Sequence, residues 1–324
     1  MGIYDLCAGQ GDRTREIAEL LQGCGVCRLG PGEFIVAGLE MPENTLLSGC
    51  GNATQILLAE EVTDGFAVRL QTGCTVRDLK LLGSRAPIEL PEEPGTRHGL
   101  VWYGNYSVDK TDRPERGTVE NVSVCGFTGG ALTQNNTGYA IETGLNVSDC
   151  WFWNCGVGIN IAFWSEFSRY TNVQAARCTY GCINNGGNNM FVNCCFSGDK
   201  VGFLIDNLTV NAKNNSHGSM VGCTINHSDN NLGVGIRLLN VSHGYVFSGC
   251  QIFYSAIEIQ NSQGVVFSDI NFGKDEHISV TGGKVTVFRG CMFCTSPQIS
   301  AEAGRTRFTD CITRDGEPVG EGTV

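Results

Sequence analysis

Four carboxylates in the middle of the chain could carry acid–base chemistry. A carboxylic acid can donate a proton while a second carboxylate accepts one or attacks as a nucleophile, so two of them near each other form a reactive pair. Each one taken singly is better explained as a turn cap or an exposed side chain, and only the group as a whole indicates a site. The predicted catalytic candidates are Glu142, Glu166, Asp199 and Asp206.

A second set of side chains could bind a substrate rather than react with it. Trp164 and Arg169 lie on either side of Glu166, where they offer a ring for stacking and a cation for an anionic group. A histidine can shuttle a proton or bind a metal, although a structural hydrogen bond is the simpler explanation for each histidine of this chain. The predicted substrate-binding residues are His98, Trp102, Tyr103, Trp164, Arg169, His217, Arg237 and Glu258.

A recurring pattern between Gly144 and Cys311 indicates which elements position these side chains. An apolar pair is followed by a small or amide residue, then by a Cys or another apolar residue, then by an aromatic or aliphatic one. The pattern returns after roughly 20 to 30 residues, which is the signature of a solenoid whose repeats bury their apolar faces against one another. The marker positions are Cys150, Val173, Cys194, Cys223, Cys250, Ile270, Cys291 and Cys311.

Short alternating runs between the markers identify the type of solenoid. Segments 157–161, 235–238 and 256–259 alternate apolar and small or polar residues, and no repeat has room for a ten-residue helix. The pattern therefore predicts a parallel β-helix, with rungs about 4.8 Å apart and like residues stacked inside. We predict inward positions at Ile141, Ile159, Cys182, Phe203, Ile236, Ile257 and Ile278. We predict outward positions at Glu142, Asn160, Ile183, Leu204, Arg237, Glu258 and Ser279.

This outward register places Arg237 beside Glu258, one rung away. A solvated ion pair on the surface is the simpler interpretation of the two, and a ligand-binding patch is the alternative.

The N-terminal quarter resembles the opening of a known superfamily. An amphipathic run at 17–21 is followed by Gly25-Val-Cys-Arg-Leu-Gly-Pro-Gly-Glu-Phe34 and by Leu47-Ser-Gly-Cys-Gly51. This order resembles the pectate-lyase-like superfamily of right-handed parallel β-helix proteins. The resemblance implies an all-β fold: a single-stranded right-handed parallel β-helix (solenoid) with a short N-terminal capping helix.

The resemblance and the repeats together give a domain division. We expect an N-terminal cap at 1–23, a parallel β-helix at 24–313 and a flexible C-terminal tail at 314–324. Four prolines interrupt the spacing and predict an inserted loop at about 83–117, within which 98–102 could form one strand. Long loops on a rigid scaffold commonly carry binding residues, so this insertion is a candidate binding region.

The superfamily holds several function classes, and the resemblance implies a leading one. It is a carbohydrate-processing enzyme, a glycoside hydrolase or a related fructan- or uronate-cleaving enzyme, that acts on an oligo- or polysaccharide through carboxylates in a groove on the β-helix face. The alternative is a non-catalytic glycan-binding phage tailspike or surface-recognition module, expected as a homo-trimer. A scaffold without glycan affinity is the third possibility. The polygalacturonase motifs Asn-Thr-Asp, Gly-Asp-Asp and Gly-His-Gly are absent, so catalytic residues are not carried over from that family.

Composition bears on partners and compartment. The formal net charge of −11 over 324 residues gives no footprint for nucleic acid or an anionic membrane, and we expect neither as a partner. The odd number of 17 cysteines in a long chain indicates buried free thiols, and Cys24 and Cys27 lack a second pair at zinc-site spacing. We predict no cofactor, with a divalent cation such as calcium left open. No signal peptide is visible, which predicts a cytoplasmic or phage-virion protein.

Overall fold

The computed structural model describes residues 4–102, 116–134, 144–163, 165–207, 217–226, 233–253, 256–273, 277–301, 305–320 and 322–323. Within them the chain forms helix α1 (Thr14–Cys24) and parallel strands that wind into three sheets, here called A, B and C. Each coil passes through A, B and C in that order, and each strand pairs with the strand of the next coil. The chain is therefore a right-handed parallel β-helix, which confirms the predicted fold class.

Strands are numbered in chain order. Sheet A contains β1 (Val26–Arg28), β4 (Leu46–Ser48), the first parts of β7 (Thr75–Leu82) and β9 (Arg116–Cys125), β11 (Gly144–Ser148), β14 (Arg169–Thr171), β16 (Asn189–Val192), β18 (Gly218–Val221), β21 (Tyr245–Ser248), β24 (Val265–Ser268), β27 (Thr286–Arg289) and β30 (Thr306–Thr309).

Sheet B contains β2 (Gly32–Val36), β5 (Thr54–Leu58), the second parts of β7 and β9, β12 (Trp151–Trp153), the first parts of β15 (Gln174–Asn184) and β17 (Cys195–Asp206), β19 (Thr224–Asn226), β22 (Gln251–Phe253), β25 (Asn271–Phe272), β28 (Met292–Phe293) and β31 (Ile312–Thr313).

Sheet C contains β3 (Leu39–Glu40), β6 (Gly65–Leu70), β8 (Arg97–Trp102), β10 (Gly130–Gln134), β13 (Val157–Ile161), the second parts of β15 and β17, β20 (Val234–Leu239), β23 (Ala256–Gln260), β26 (His277–Thr281) and β29 (Gln298–Ala301). A last strand, β32 (Gly322–Thr323), runs antiparallel to β30.

Stacked aromatic rings fill the tube between the sheets. The rings of Phe247, Phe267, Phe288 and Phe308 lie one above another with centroids 4.8, 4.9 and 5.0 Å apart and nearly parallel planes. These distances match the spacing of parallel strands, so the backbone ladder itself sets the stacking distance. Like residues recur in the sequence because each coil offers the same site to its inward side chain.

The recurrent cysteines form a second ladder, at the corner between sheets A and B. The Sγ atom of Cys223 donates to the carbonyl of Phe191, and that of Cys291 to the carbonyl of Phe267, each in the preceding coil and at a distance of 3.5 Å. All 17 cysteines are free, as predicted, and burial raises the pKa of Cys150 to about 12. The ladder thiols therefore pack as small apolar groups with a weak donor.

The turn before each ladder cysteine needs a left-handed residue. Asn172 and Asn193 occupy it with φ of 55° and 52°, and Gly222 with 62°. Asn tolerates this region and Gly has no Cβ to clash, which explains the recurring amide or small residue. The side chain of Asn193 also donates to Oδ1 of Asn172, 2.6 Å away, so the turns form an amide ladder outside the core.

Helix α1 covers the first coil, as predicted. Oδ1 of Asp12 accepts from the backbone N–H of Thr14 at 2.9 Å, and Ile17 and Leu21 are buried against the coil. The helix ends at Cys24, one residue beyond the predicted end, and Gly25 adopts φ of 71° as its left-handed cap. No helix in the described ranges is long and apolar enough to cross a membrane.

The described sheet C strand between β8 and β13 is β10, where Leu132 pairs with Ile159 and Thr133 with Asn160. The predicted positions Ile141 and Glu142 lie outside the described residues. Part of segment 314–324, predicted to be flexible, packs on the last coil. The backbone N–H of Val319 donates to the carbonyl of Cys311 at 2.9 Å, and its side chain is buried.

Candidate functional site

The loops that lead from sheet C into sheet A bring polar side chains of successive coils together. We call these loops the C–A corner; their described residues are 162–163, 165–168, 185–188, 207, 217 and 240–244. Glu166, His217 and His243 belong to three of them. Since each coil is displaced by one rung from the last, side chains far apart in sequence line up along this corner.

Glu166 and His217 flank one glycine. A Cβ added to Gly187 would lie 3.2 Å from Oε1 of Glu166 and 2.7 Å from Cε1 of His217. The carboxylate oxygen and the imidazole therefore both pack closely against Gly187, and no space is left for a side chain there. Nδ1 of His217 is buried and has no hydrogen-bond partner within the described part of the chain.

Neighbouring groups hold both side chains. Oε2 of Glu166 accepts from the side-chain amide of Asn188 at 3.0 Å, and Glu166 is only 9% exposed. The His217 ring lies 5.8 Å from the ring of His243, whose Nδ1 is 2.8 Å from Oγ of Ser242. A carboxylate and two imidazoles within one corner can exchange protons with a ligand.

A buried amide fixes the loop that carries Glu166. Asn189 is fully buried; its Nδ2 donates to the carbonyl of Ser165 and its Oδ1 accepts from the N–H of Ser168, both at 3.0 Å. Oγ of Ser168 is in turn bonded to Nε2 of Gln134. The residues on both sides of Glu166 are therefore anchored to the core, which is the rigidity that a positioned acid or base needs.

A second carboxylate, Asp206, lies at the start of the same corner. Its backbone N–H donates to Oδ1 of Asn185 at 2.9 Å. Asn185 and Asn188 are three residues apart, so their Cα atoms lie within about 11 Å of each other. Asp206 and Glu166 therefore flank one short loop. Arg169 starts β14 directly after the corner and is exposed.

Asp199 lies at a different corner, which corrects its place in the predicted cluster. It precedes the sheet C part of β17, and Asp206 ends that part. An extended segment of this length separates the two by about 15 Å or more. Paired carboxylates of glycosidases are about 5 to 9.5 Å apart, so Asp199 does not form such a pair with Asp206.

Trp102 is also corrected. It pairs with Leu70 and Gln134 on the inward side of sheet C and is fully buried in the core. A ligand outside the β-helix does not reach its ring, so Trp102 is a core residue. Three further candidates, Glu142, Tyr103 and Trp164, lie outside the described residues.

Arg237 and Glu258 are neighbours on the outer face of sheet C, as the register predicted. Nε of Arg237 is 2.6 Å from Oε2 of Glu258. Both side chains are partly exposed, so the ion pair contributes about 1 kcal/mol or less to folding. Among the residues with described positions, no group of three or more His, Cys, Asp or Glu side chains is placed to hold a metal ion.

His98 has a structural contact. Its Nδ1 accepts from the backbone N–H of Gly130 at 2.9 Å, which requires that nitrogen to be unprotonated. Burial lowers the pKa of His98 below its ordinary value of 6.5, and the charge of Asp64 opposes this shift more weakly.

Acidification is therefore expected to destabilise the protein through His98. Below pH 6.5 the His98 imidazole is protonated in the unfolded chain but still neutral in the folded chain. The free energy of unfolding therefore falls with pH until the pH drops below the lower pKa of the folded state. Urea unfolding at intervals from pH 7.5 to 5 measures this slope. His98→Gln should flatten it and exposed His277→Gln should not; equal slopes in all three proteins would contradict the assignment.

The sequence did not single out Gly187, Asn188, His243 or Ser242. Their signal was present but faint: each lies in the polar stretch before a sheet A strand, and the strand registers align Gly187 and His243 with Glu166, and Asn188 with His217. Aligning the coils on the sheet A strands would have brought the polar stretches into one column.

Comparisons with known proteins support the fold. The enzymatically active domain of tailspike protein 2 from bacteriophage CBA120 superposes with a TM-score of 0.63 at 14% identity, over 93% of this chain and 45% of that one. The Dettilon tailspike protein gives 0.58 at 13% identity, over 93% of this chain and 68% of that one. The A-module of mannuronan C-5 epimerase AlgE4 from Azotobacter vinelandii superposes with a TM-score of 0.52 at 15% identity, over 95% of this chain and 93% of that one.

The sequence itself gives no closer relationship. It matches no protein-family model, and no curated protein sequence is significantly similar to it. This chain also spans less than half the length of the CBA120 tailspike domain. At such identities the likeness concerns the fold alone: this chain and these neighbours share the right-handed parallel β-helix that the sequence predicted.

Proposed function

We propose that this protein processes an oligo- or polysaccharide at the C–A corner, with Glu166 as the general acid or base. The observation that carries the proposal is that Glu166 and His217 both pack against Gly187. A buried, anchored carboxylate near an imidazole nitrogen that has no partner among the described residues is an arrangement suited to proton transfer. A structural neighbour supports a glycan as the substrate, since the AlgE4 module belongs to an epimerase named for mannuronan.

Two reaction types use this corner differently. Hydrolysis of a glycosidic bond needs a proton donor and a second carboxylate, and Asp206, on the other side of the loop 185–188, fits the second role. Elimination or epimerisation needs a base that removes a proton beside a carboxylate, and His217 fits there as the partner of Glu166. In both cases Glu166 stays in contact with the substrate.

Turnover of a polysaccharide panel tests the proposal. Reducing ends report hydrolysis, absorbance of unsaturated uronates reports elimination, and a changed uronate composition without cleavage reports epimerisation. Bacterial capsular and O-antigen polysaccharides belong in the panel beside alginate and pectate. Turnover in any assay supports carbohydrate processing, and binding without turnover leads to the second candidate.

The second candidate is a non-catalytic glycan-recognition module that assembles as a homo-trimer in a phage virion. The outer face of sheet A favours it. Met190, Val192, Val221 and Val246 lie there in adjacent rungs and are 36% to 42% exposed. An apolar strip of this kind is typical of a contact between copies. The molar mass in solution, by light scattering, tests it; a monomer at all concentrations would count against it.

A further inference from the structure

The outer face of sheet B carries a tryptophan pair that the C–A corner does not use. In β12 the alternation turns Phe152 into the core and Trp151 and Trp153 outward. Trp151 is 49% exposed, an unusual position for a large apolar ring. It lies on a rigid strand that pairs with β9 and β15 on either side. The ring is therefore held in place while one of its faces meets solvent.

Trp153 is already engaged by a cation. The guanidinium carbon of Arg177 lies 5.7 Å from the centre of its ring, and Trp153 is half-buried. The two rings differ as a result: the Trp153 ring contacts Arg177, whereas the Trp151 ring is exposed and can stack on a ligand.

Uncharged polar side chains continue the row of Trp151 along the β-helix axis. Gln174 pairs with Trp151 in the next coil, and Cys195, Thr224 and Gln251 follow, one in each further coil. Gln174 and Gln251 are exposed. Rungs are about 4.8 Å apart, so the row offers amides and a hydroxyl at intervals close to the length of one pyranose unit.

Hydrogen-bonded segments border this row. On one side the backbone of Ile88 makes two bonds with the side chain of Asn154, at 2.7 and 2.9 Å, and holds the inserted loop beside Trp153. On the other side Asn172 donates to Asp149 in the amide ladder at the A–B turns. The row is therefore bordered along both edges near the tryptophans.

We infer that this row, the Trp151 strip (Trp151, Trp153, Gln174, Thr224 and Gln251), is a second glycan-binding site that takes an uncharged stretch of sugar units. A pyranose has one apolar face, which stacks on an indole, and hydroxyls at its edge, which pair with amides and hydroxyls. The strip offers both in that order. From Trp151 to Gln251 the row carries no charged side chain, which favours neutral sugars over that stretch; in the other direction the row continues through Ser123 to Lys80.

This inference depends on the glycan partner of the proposed function but not on cleavage. The strip lies on sheet B and the acid–base pair on the C–A corner, so the strip would hold a long glycan while another part of it reaches Glu166. An apolar contact with a second copy is the competing use of an exposed Trp151.

Titration with defined hexasaccharides tests the strip. The probes are cellohexaose, mannohexaose and hexa-N-acetylchitohexaose, with hexagalacturonate as the acidic counterpart, and binding is followed by calorimetry on the Glu166→Gln background so that nothing is consumed. We expect at least one neutral hexasaccharide to bind, and Trp151→Ala to weaken it about tenfold or more. Trp151→Phe, which keeps a ring, should lose less, and Val285→Ala, which removes a similarly exposed apolar side chain, should stay within about twofold.

Each outcome decides between the two sites. Three results would contradict the proposed binding site at the Trp151 strip. They are an unchanged affinity in Trp151→Ala, no binding of any neutral hexasaccharide, and a wild-type dimer that dissociates in Trp151→Ala. Circular dichroism and unfolding midpoints confirm that the variant folds, which its exposed position favours. If the protein turns over a polysaccharide and Trp151→Ala binds hexasaccharides as well as the wild type, only the binding site at the strip is contradicted. If Trp151→Ala loses affinity and no polysaccharide is turned over, only the proposed reaction is contradicted.

Discussion

Glu166→Gln is expected to lower glycan turnover by about 10²- to 10⁴-fold, the usual contribution of a general acid or base. The amide has the same shape and can still bond to Asn188, so the loop should keep its conformation. It cannot exchange a proton. Initial rates on a responsive polysaccharide, with the unfolding midpoint measured in parallel, separate lost chemistry from lost folding.

Glu40→Gln is a matched control for this change. Glu40 is an exposed carboxylate paired with Arg69 at 2.7 Å in an early coil, remote from the C–A corner along the chain. Its amide variant should keep nearly all activity. If Glu166→Gln retained more than a tenth of the wild-type rate, Glu166 would not be the acid or base.

The partner of Glu166 can then be identified by the same rates. Asp206→Asn should match the loss in Glu166→Gln if the reaction is hydrolysis through two carboxylates. His217→Gln should match it if proton transfer runs between carboxylate and imidazole. Residues that act as a unit give non-additive losses, so the double variant should be no slower than the slower single one.

The fold could be predicted because each coil repeats one physical problem. A rung must offer an inward apolar side chain, a left-handed turn residue and another inward side chain, and the sequence satisfies this seven or more times in succession. Strict alternation then sets the outward register: Asn160, Ile183, Leu204, Arg237 and Glu258 lie in one row, as predicted.

An error arose where the same rules apply but the phase of the alternation was not followed. Trp102 could have been placed correctly, since it lies two residues after inward Leu100 and therefore shares its side.

The site was harder to predict because it lies in loops of unequal length. The C–A corner takes four residues between Asn184 and Asn189 but more than ten between Asp206 and Gly218, so spacing alone does not align Glu166 with His217. A further element of the site is an absence, the side chain that Gly187 lacks. Glycine in a polar turn has an ordinary explanation. Only the neighbours in space show that a side chain at Gly187 would displace Glu166 or His217.

That absence gives the second large prediction: Gly187→Ala is expected to lower turnover by about 10²-fold while the fold stays intact. The new Cβ would lie 2.7 Å from Cε1 of His217 and 3.2 Å from Oε1 of Glu166, so one or both side chains must move. A displacement of about 1 Å at a reacting group can cost this much. Gly187 does not have a left-handed φ, so Ala adds no backbone strain there.

The variant changes no charge and removes no hydrogen-bonding group, and so separates geometry from chemistry. Gly23→Ala is the control, since a Cβ there meets nothing within 4 Å and the residue lies in helix α1. Steady-state rates of both variants, with unfolding midpoints near the wild type, make the comparison. Full activity in Gly187→Ala would mean that the reaction does not depend on the positions of Glu166 and His217, and the reaction centre would have to lie elsewhere.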